Sequence, residues 1–197
     1  FGEDKVYVSF SGGKDSTVLL DLVRNEFGYK NVKAMFVDVP TQYPELRQFV
    51  KTFDNVDIVK PKTNFFEVCS KYGFPLFSKE ISETIELEGK VPHKEKGVET
   101  GEYSKMYDRS RYQFMLDAPF EVSNRCCGVM KKEPAHRYTK ETGRKPMTAQ
   151  MASESKLRTS QWLRHGCNMF DAKNPISNPM SFWTEQDVLR YIKDRNL

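Results

Sequence analysis

Six residues near the start of the chain, Ser11-Gly12-Gly13-Lys14-Asp15-Ser16, constrain what it can fold into more than any others. They follow a β-rich run at 5–10 (KVYVSF) and precede Val18, Leu19, Leu20, Leu22 and Val23, which share one helical face. A strand, a tight polar turn and a helix in direct succession can cradle an anion. Adjacent glycines let the backbone take conformations closed to other residues and bring its amides close to a ligand. The helix that follows adds unpaired N–H donors and the positive end of its dipole. Ser11 and Ser16 add hydroxyls and Lys14 adds charge, so the loop reads as a phosphate site. Asp15 suits such a place only if it orients a donor or helps hold Mg²⁺. A Ser-Gly-Gly turn with a solvated Lys-Asp pair is the ordinary alternative, but the full string between strand and helix is far more specific. The spacing is not GxxxxGK(S/T), which disfavours the ATPase and GTPase switch proteins.

The alternation continues downstream. Residues 32–39 (VKAMFVDV) and 56–59 (VDIV) read as strands, and residues 44–53, with Leu46, Phe49, Val50 and Phe53 at helical spacing, as a helix. This rhythm predicts an α/β fold of three layers, α/β/α, with a mainly parallel, Rossmann-like sheet. Further helices are expected at 64–72, 103–116, 130–141 and 154–164, and a strand at 145–152. A closing helix follows Thr184, with Glu185 and Asp187 in its acidic first turn. The 197 residues suit a single nucleotide-binding domain over 1–197. Residues 80–121 are expected to be an insertion or lid, because 88–101 carry Gly, Pro and mixed charge without a period.

Composition narrows the partners. Lys and Arg total 31 against 27 Asp and Glu, a net charge of +4 without a block of one sign. That balance fits a small anionic ligand better than a nucleic-acid coat. No apolar run approaches the roughly 20 residues of a membrane span, so no membrane contact is expected. Four cysteines are too few for a secreted disulfide scaffold, which points to the cytoplasm. The three histidines lack zinc-ligand spacing. The chain opens on Phe1 and closes on Leu197 directly after a helical pattern, so the ends are expected to be trimmed, with a C-terminal segment of the intact protein missing.

Cys126 and Cys127 are neighbours, and Cys167 lies 40 residues beyond them. Such a pair reads either as small buried hydrophobes or as thiolate ligands of an iron–sulfur cluster. Arg125, Lys131 and Lys132 would favour thiolates, Cys167 could add a third ligand, and a fourth is lacking. Cys69, between apolar neighbours, is expected in the core, as are Trp162 and Trp183. Asp38 falls at the C-terminal end of the second strand, the edge where open α/β sheets bind ligands. Arg158 shares a helix face with Glu154 four residues earlier, which suits either a surface ion pair or a phosphate or sulfate contact.

Later segments carry a pattern alongside SGGKDS: Phe36-Val37-Asp38-Val39-Pro40 with Tyr43-Pro44-Glu45, and Tyr72-Gly73-Phe74-Pro75 with Ser78-Lys79. It continues in Arg125-Cys126-Cys127-Gly128 with Lys131, Lys132 and Pro134, and in Met151-Ala152-Ser153-Glu154-Ser155 with Arg158. Asn178-Pro179-Met180 and Trp183-Thr184 with Asp187-Val188 complete it. Together these resemble the PAPS/APS (sulfonucleotide) reductase family of the PP-loop adenine nucleotide α-hydrolase-like superfamily, across nearly the whole chain and least in 80–121. The resemblance implies an adenine nucleotide (PAPS, APS or ATP) held by Ser11, Gly12, Gly13, Lys14, Asp15 and Ser16, with Asp38 on the nucleoside and Arg158 on the distal anion. Glu154, Ser155, Lys131 and Lys132 become secondary candidates. It also implies a 4Fe-4S cluster on Cys126, Cys127 and Cys167 in the intact protein, and a thioredoxin-like electron donor.

There are departures from that family. Val39-Pro40 replaces the family's Thr-Gly, and Gln150-Met151 stands where a Gly-x-Arg usually precedes the Glu-Ser pair. The sequence has neither an ECGLH-type tail with the nucleophilic cysteine nor a second CxxC pair, so the thiol nucleophile is expected from a segment outside this chain. The alternative is an N-type ATP pyrophosphatase that binds ATP with Mg²⁺ and adenylates a target for sulfur insertion, as in nucleic-acid thiolation or phosphorothioation. Only under that reading is nucleic acid a partner. A non-catalytic nucleotide sensor is the second alternative, since binding residues alone do not establish turnover.

Overall fold

A computed structural model of the chain describes residues 2–89, 110–170 and 172–197. Contacts divide it into two units, Phe1–Lys60 with Pro134–Leu197 and Pro61–Glu133. Residues 90–109 of the expected insertion, and with them the start of the helix expected at 103–116, lie outside the described residues.

In the first unit, β1 (Val6–Ser9) takes the centre of the sheet because its apolar side chains can be covered on both faces; Tyr7 and Val8 are fully buried. Its parallel neighbours are β2 (Lys33–Val37) and β4 (Lys145–Met147), with Val8 opposite Ala34 and Met147. β3 (Val56–Val59) extends the sheet beyond β2, while β6 (Ile176–Ser177) and the antiparallel edge strand β5 (Asn168–Met169) extend it beyond β4. The order β3-β2-β1-β4-β6-β5 is the mainly parallel sheet that the alternation predicts. α1 (Lys14–Asp21) buries Val18, Leu19 and Leu20 against it and runs on into a π turn, Leu22–Glu26. α2 (Pro44–Val50) begins with Pro at its first turn, where the missing N–H costs nothing. The closing helix α8 (Glu185–Arg195) has the expected Thr184 cap, reciprocated by Asp187, and its Tyr191 hydroxyl donates to Asp21 at 2.8 Å.

The second unit holds α3 (Phe65–Tyr72), α4 (Lys79–Glu88) and the short α5 (Arg125–Cys127), with Ile81, Met115 and Val122 as its core. Asn64 and Glu67 cap α3 reciprocally, and Ser78 caps α4. Cys69 is buried, as its apolar neighbours predict.

Several boundaries differ from expectation, each for a local reason. The strand expected at 145–152 ends at Met147, and residues 152–154 form a 3-10 turn. The helix expected from 154 starts two residues later, as α7 (Lys156–His165), because Ser155 serves as its cap by accepting the Arg158 N–H at 3.3 Å. The helix expected at 130–141 is a π turn, Gly128–Lys132, followed by α6 (Glu133–Thr142). Trp183 packs against the core, whereas Trp162 is half-buried on α7. None of the described helices is long and apolar enough to cross a membrane.

A charge cluster on the first unit predicts a pH response. Asp57 accepts the Tyr138 hydroxyl at 2.7 Å and the Lys33 ammonium at 3.1 Å. Burial pushes its carboxyl up, but Tyr138, Lys33 and Arg144 together bring it below the ordinary carboxylate range, while burial and Asp57 push the Tyr138 phenol up to about 12. A carboxyl with a depressed folded pKa stabilises the fold above its unfolded value of about 4 and loses that contribution as pH falls through the folded value. Asp57→Asn is therefore expected to cost about 1 kcal/mol at pH 7 and to reduce the loss of urea stability below pH 4. Parallel acid titration curves for both proteins would contradict this.

Candidate functional site

The loop after β1 is closed by its own serines. The Ser11 N–H donates to Ser16 Oγ at 3.1 Å, the two hydroxyl oxygens lie 3.0 Å apart, and Gly13 N–H reaches Ser11 Oγ at 3.3 Å. The Ser16 and Thr17 hydroxyls each donate to the Gly13 carbonyl at 3.0 Å. Ser16 is almost wholly buried, so it braces the loop, whereas Ser11 stays exposed. Gly12 has φ +75°, and a Cβ there would lie 2.9 Å from both Leu46 Cδ2 and Val50 Cγ2. α1 begins after Gly13 without a side-chain cap, so its leading amides have no partner within the helix and face the loop.

Sheet order places this loop at a switch point. The chain leaves β1 towards β2 on one side, while β4 on the other side arrives late in sequence. In open α/β sheets the crevice beyond two such strand ends is the usual ligand position. Residues 148–155 leave β4 on that side: Ala152 N–H donates to Ser181 O at 2.8 Å, and the Ser153 hydroxyl to Trp183 O at 3.3 Å. Two residues beyond Trp183, Glu185 lies 3.3 Å from Lys14 Nζ, which also contacts Asp15 at 2.9 Å. The hydrogen bond that Lys14 donates to Asp15 raises the Lys14 pKa, with Glu185 adding to it, so the ammonium stays charged. Sequence reasoning missed Glu185 as a loop partner, although its place in the first turn of the last helix was readable.

Asp38 does stand at the β2 edge, but its carboxylate is engaged. Arg47 Nε donates to Asp38 Oδ1 at 2.6 Å, and Arg47 Nη2 to the Val39 carbonyl at 2.6 Å. Arg47 is the second residue that sequence reasoning missed; it lies one turn after Pro44 in α2. Arg158 is paired with Glu154, the ordinary alternative for that spacing, and Glu154 also accepts the Met151 N–H at 2.8 Å. Arg158, Trp162 and Asn178 line a small pocket of about 10 Å³, room for one water.

The candidate cluster ligands are distributed between the units: Cys126 and Cys127 in the second, Cys167 in the first. All four cysteines are free thiols. The expectation that neighbouring cations would favour a Cys126 thiolate is not met. Burial raises its pKa and Cys127 adds to the rise, outweighing the amide of Cys127 and the charge of Lys131. Among the described residues no three His, Cys, Asp or Glu side chains gather at metal-binding distance. Lys131 and Lys132 lie in the π turn of the second unit.

A strand, a glycine-built loop and a helix at the switch point of a parallel sheet define a PP-loop nucleotide-binding fold. The chain belongs to the phosphoadenosine phosphosulfate reductase domain family, whose model matches residues 5–65 and 58–197. Among solved structures it is similar to the phosphoadenylyl-sulfate (PAPS) reductase of Candida auris in its phosphate complex. That match has a TM-score of 0.53 and 18% identity, covering 100% of this chain and 81% of that one, a likeness of fold. It is also similar to the argininosuccinate synthase of Natronomonas pharaonis, 33% identical over 86 residues, 38% of this chain. The chain covers 22% of that curated relative's length.

Proposed function

We propose that the loop at 11–16 holds the phosphate of an adenine nucleotide, and that the enzyme acts on a sulfonucleotide of the PAPS or APS type. The observation that carries this reading is the loop itself: uncapped α1 amides beside a positive-φ Gly12, with a charged Lys14 at the sheet's switch point. Membership of the reductase domain family supports the sulfonucleotide. Bound phosphate would take the place of the Asp15 and Glu185 carboxylates on Lys14, while Arg47 would present Asp38 towards the nucleoside. Arg158 would reach a distal anion only after leaving Glu154, so that contact carries the least support.

A second reading rests on one specific observation. Asp15 and Glu185 converge on Lys14, and two carboxylates beside a phosphate loop are the donors that Mg²⁺ takes together with nucleotide oxygens. They would then hold the metal of MgATP, whose chemistry is to neutralise charge on the phosphates. Under this reading the enzyme releases pyrophosphate. Anaerobic titration of the protein with PAPS, APS and ATP, with and without Mg²⁺, separates the two. Tight PAPS or APS binding with sulfite release under thioredoxin supports the first. Mg²⁺-dependent ATP binding with pyrophosphate release overturns it. Sulfonucleotide reduction also needs a thiol nucleophile expected from outside this chain, so binding without turnover identifies a nucleotide sensor only when the intact protein gives that result.

A further inference from the structure

One short helix, α2, is in contact with both the loop at 11–16 and the β2 edge. Leu46 and Val50 stand so close to Gly12 that a Cβ there would lie 2.9 Å from each. Val50 is buried in the core of the first unit and Leu46 packs against it, so this contact is fixed. Arg47, the residue after Leu46, serves the β2 edge instead, through Asp38 Oδ1 and the Val39 carbonyl, each at 2.6 Å. Ser9 is opposite Met35 in the parallel ladder, and the Phe10 N–H donates to the Met35 carbonyl at 2.9 Å. The loop and Asp38 therefore leave adjacent strands, whose spacing is about 4.8 Å.

Asp38 is restrained at every point but one. Its N–H donates to the Val59 carbonyl at 2.8 Å, and the Val39 carbonyl that Arg47 grips also accepts the Gln42 N–H at 3.0 Å. The planar guanidinium holds the carboxylate and that carbonyl together, a geometry that an ammonium cannot reproduce. The Asp38 side chain is only 19% exposed, and among the described residues its Oδ2 has no partner. Arg47 thus leaves one carboxylate oxygen, fixed in place, beside the loop. An ionised carboxylate accepts hydrogen bonds and donates none, so such an oxygen tells a donor from an acceptor.

We infer that Arg47 is a positioning residue of the nucleotide site. It holds Asp38 so that Oδ2 accepts one hydrogen bond from a donor on the nucleoside, either a ribose hydroxyl or the 6-amino group of adenine. This rests on the reading of the loop as a nucleotide phosphate site. Arg47 acts through Asp38, and α2 sets how far that acceptor stands from the loop, because Gly12 and Asp38 are both seated against it. A nucleoside lacking the donor leaves the carboxylate oxygen unpaired, and a 6-oxopurine sets an acceptor against it.

Calorimetric titration of the full chain with AMP, the core common to APS and ATP, and with IMP, 2′-deoxy-AMP and 3′-deoxy-AMP tests this. One analogue is expected to bind at least about tenfold more weakly than AMP, the size of a hydrogen bond to a charged group. Weak IMP identifies the 6-amino group as the donor, and a weak deoxynucleotide identifies the ribose hydroxyl. Arg47→Met keeps the aliphatic stem and should reduce that ratio to about twofold or less, with Arg47→Lys recovering little of it. Loop damage or lost stability would weaken every ligand alike, so the ratio reads the position of Asp38. Asp38→Asn should lose the same ratio, because Arg47 then takes the amide oxygen and leaves the NH₂ towards the ligand. Arg47→Met/Asp38→Asn should lose no more than either single variant, the mark of one shared interaction. A parent that binds none of the four ligands would refute the nucleotide reading itself. A parent that binds AMP without discrimination, a ratio unchanged in Arg47→Met, or additive losses would refute the role of Arg47 alone.

Discussion

Gly12→Ala is expected to abolish nucleotide binding and to lower stability by about 2–4 kcal/mol. Two effects add. A non-glycine residue at φ +75° costs about 1–2 kcal/mol because its Cβ crowds the following carbonyl. The same Cβ would lie 2.9 Å from side-chain carbons of Leu46 and Val50, so α2 must shift or the loop must open. Forcing an extra carbon into a packed site costs about 1–3 kcal/mol. Either movement pulls Ser11 and Gly13 away from the geometry that closes the loop over the α1 amides. Urea unfolding followed by Trp162 and Trp183, together with nucleotide titration, reads both effects. A variant that binds as well as the parent, within 0.5 kcal/mol of its stability, would show that the loop conformation is not what recognises phosphate.

Arg24→Ala is expected to cost about 2–3 kcal/mol without a direct effect on nucleotide contacts. Arg24 lies in the π turn after α1 and donates only to backbone carbonyls. Val32 O receives Nε at 3.0 Å and Nη2 at 2.7 Å, Asp54 O receives Nη1 at 2.8 Å, and Asn55 O receives Nη2 at 3.0 Å. One guanidinium thus ties α1 to the entry of β2 and to the turn before β3, where Asn55 sits at φ 56°. Burial lowers its pKa, with Asp54 opposing, and the group remains charged. Hydrogen bonds from a charged donor contribute about 1.5–3 kcal/mol each when buried; the half-exposed setting reduces their sum. Arg24→Lys should recover little, because an ammonium cannot reproduce the planar fork. A lysine variant as stable as the parent would show that charge, not the fork, matters there.

How far the site could be read from sequence depended on what encodes each part. The loop at 11–16 was legible as a tight turn between strand and helix because it lies in backbone geometry: adjacent glycines, small hydroxyl residues and a helix start are all local signals. The parallel sheet was legible through its apolar rhythm. Asp38 was correctly placed at the β2 edge, but nothing local shows that Arg47, on another element, reaches back to hold it. Arg158, read through the family resemblance as an anion contact with a surface ion pair as the alternative, is in the structure paired with Glu154. Ser155 was singled out within a motif and is also the cap that decides where α7 begins. At Cys126 the charge of Lys131 lowers the thiol pKa as the neighbouring cations suggest, but burial, which a list of neighbours in sequence does not report, raises it by more.

The amino-acid sequence alone therefore determined the class of fold, the position of the glycine loop and the family, because each is carried by short local signals, a strand, a turn, a helix start or a motif, that recur along the chain. Only the tertiary structure decided which charges meet. Glu185 reaches Lys14 across 171 residues, and Glu86 reaches Arg125 across 39. Interactions between ions fall off within a few ångströms in water, so their partners are set by which elements pack together, a property of the folded chain rather than of any segment.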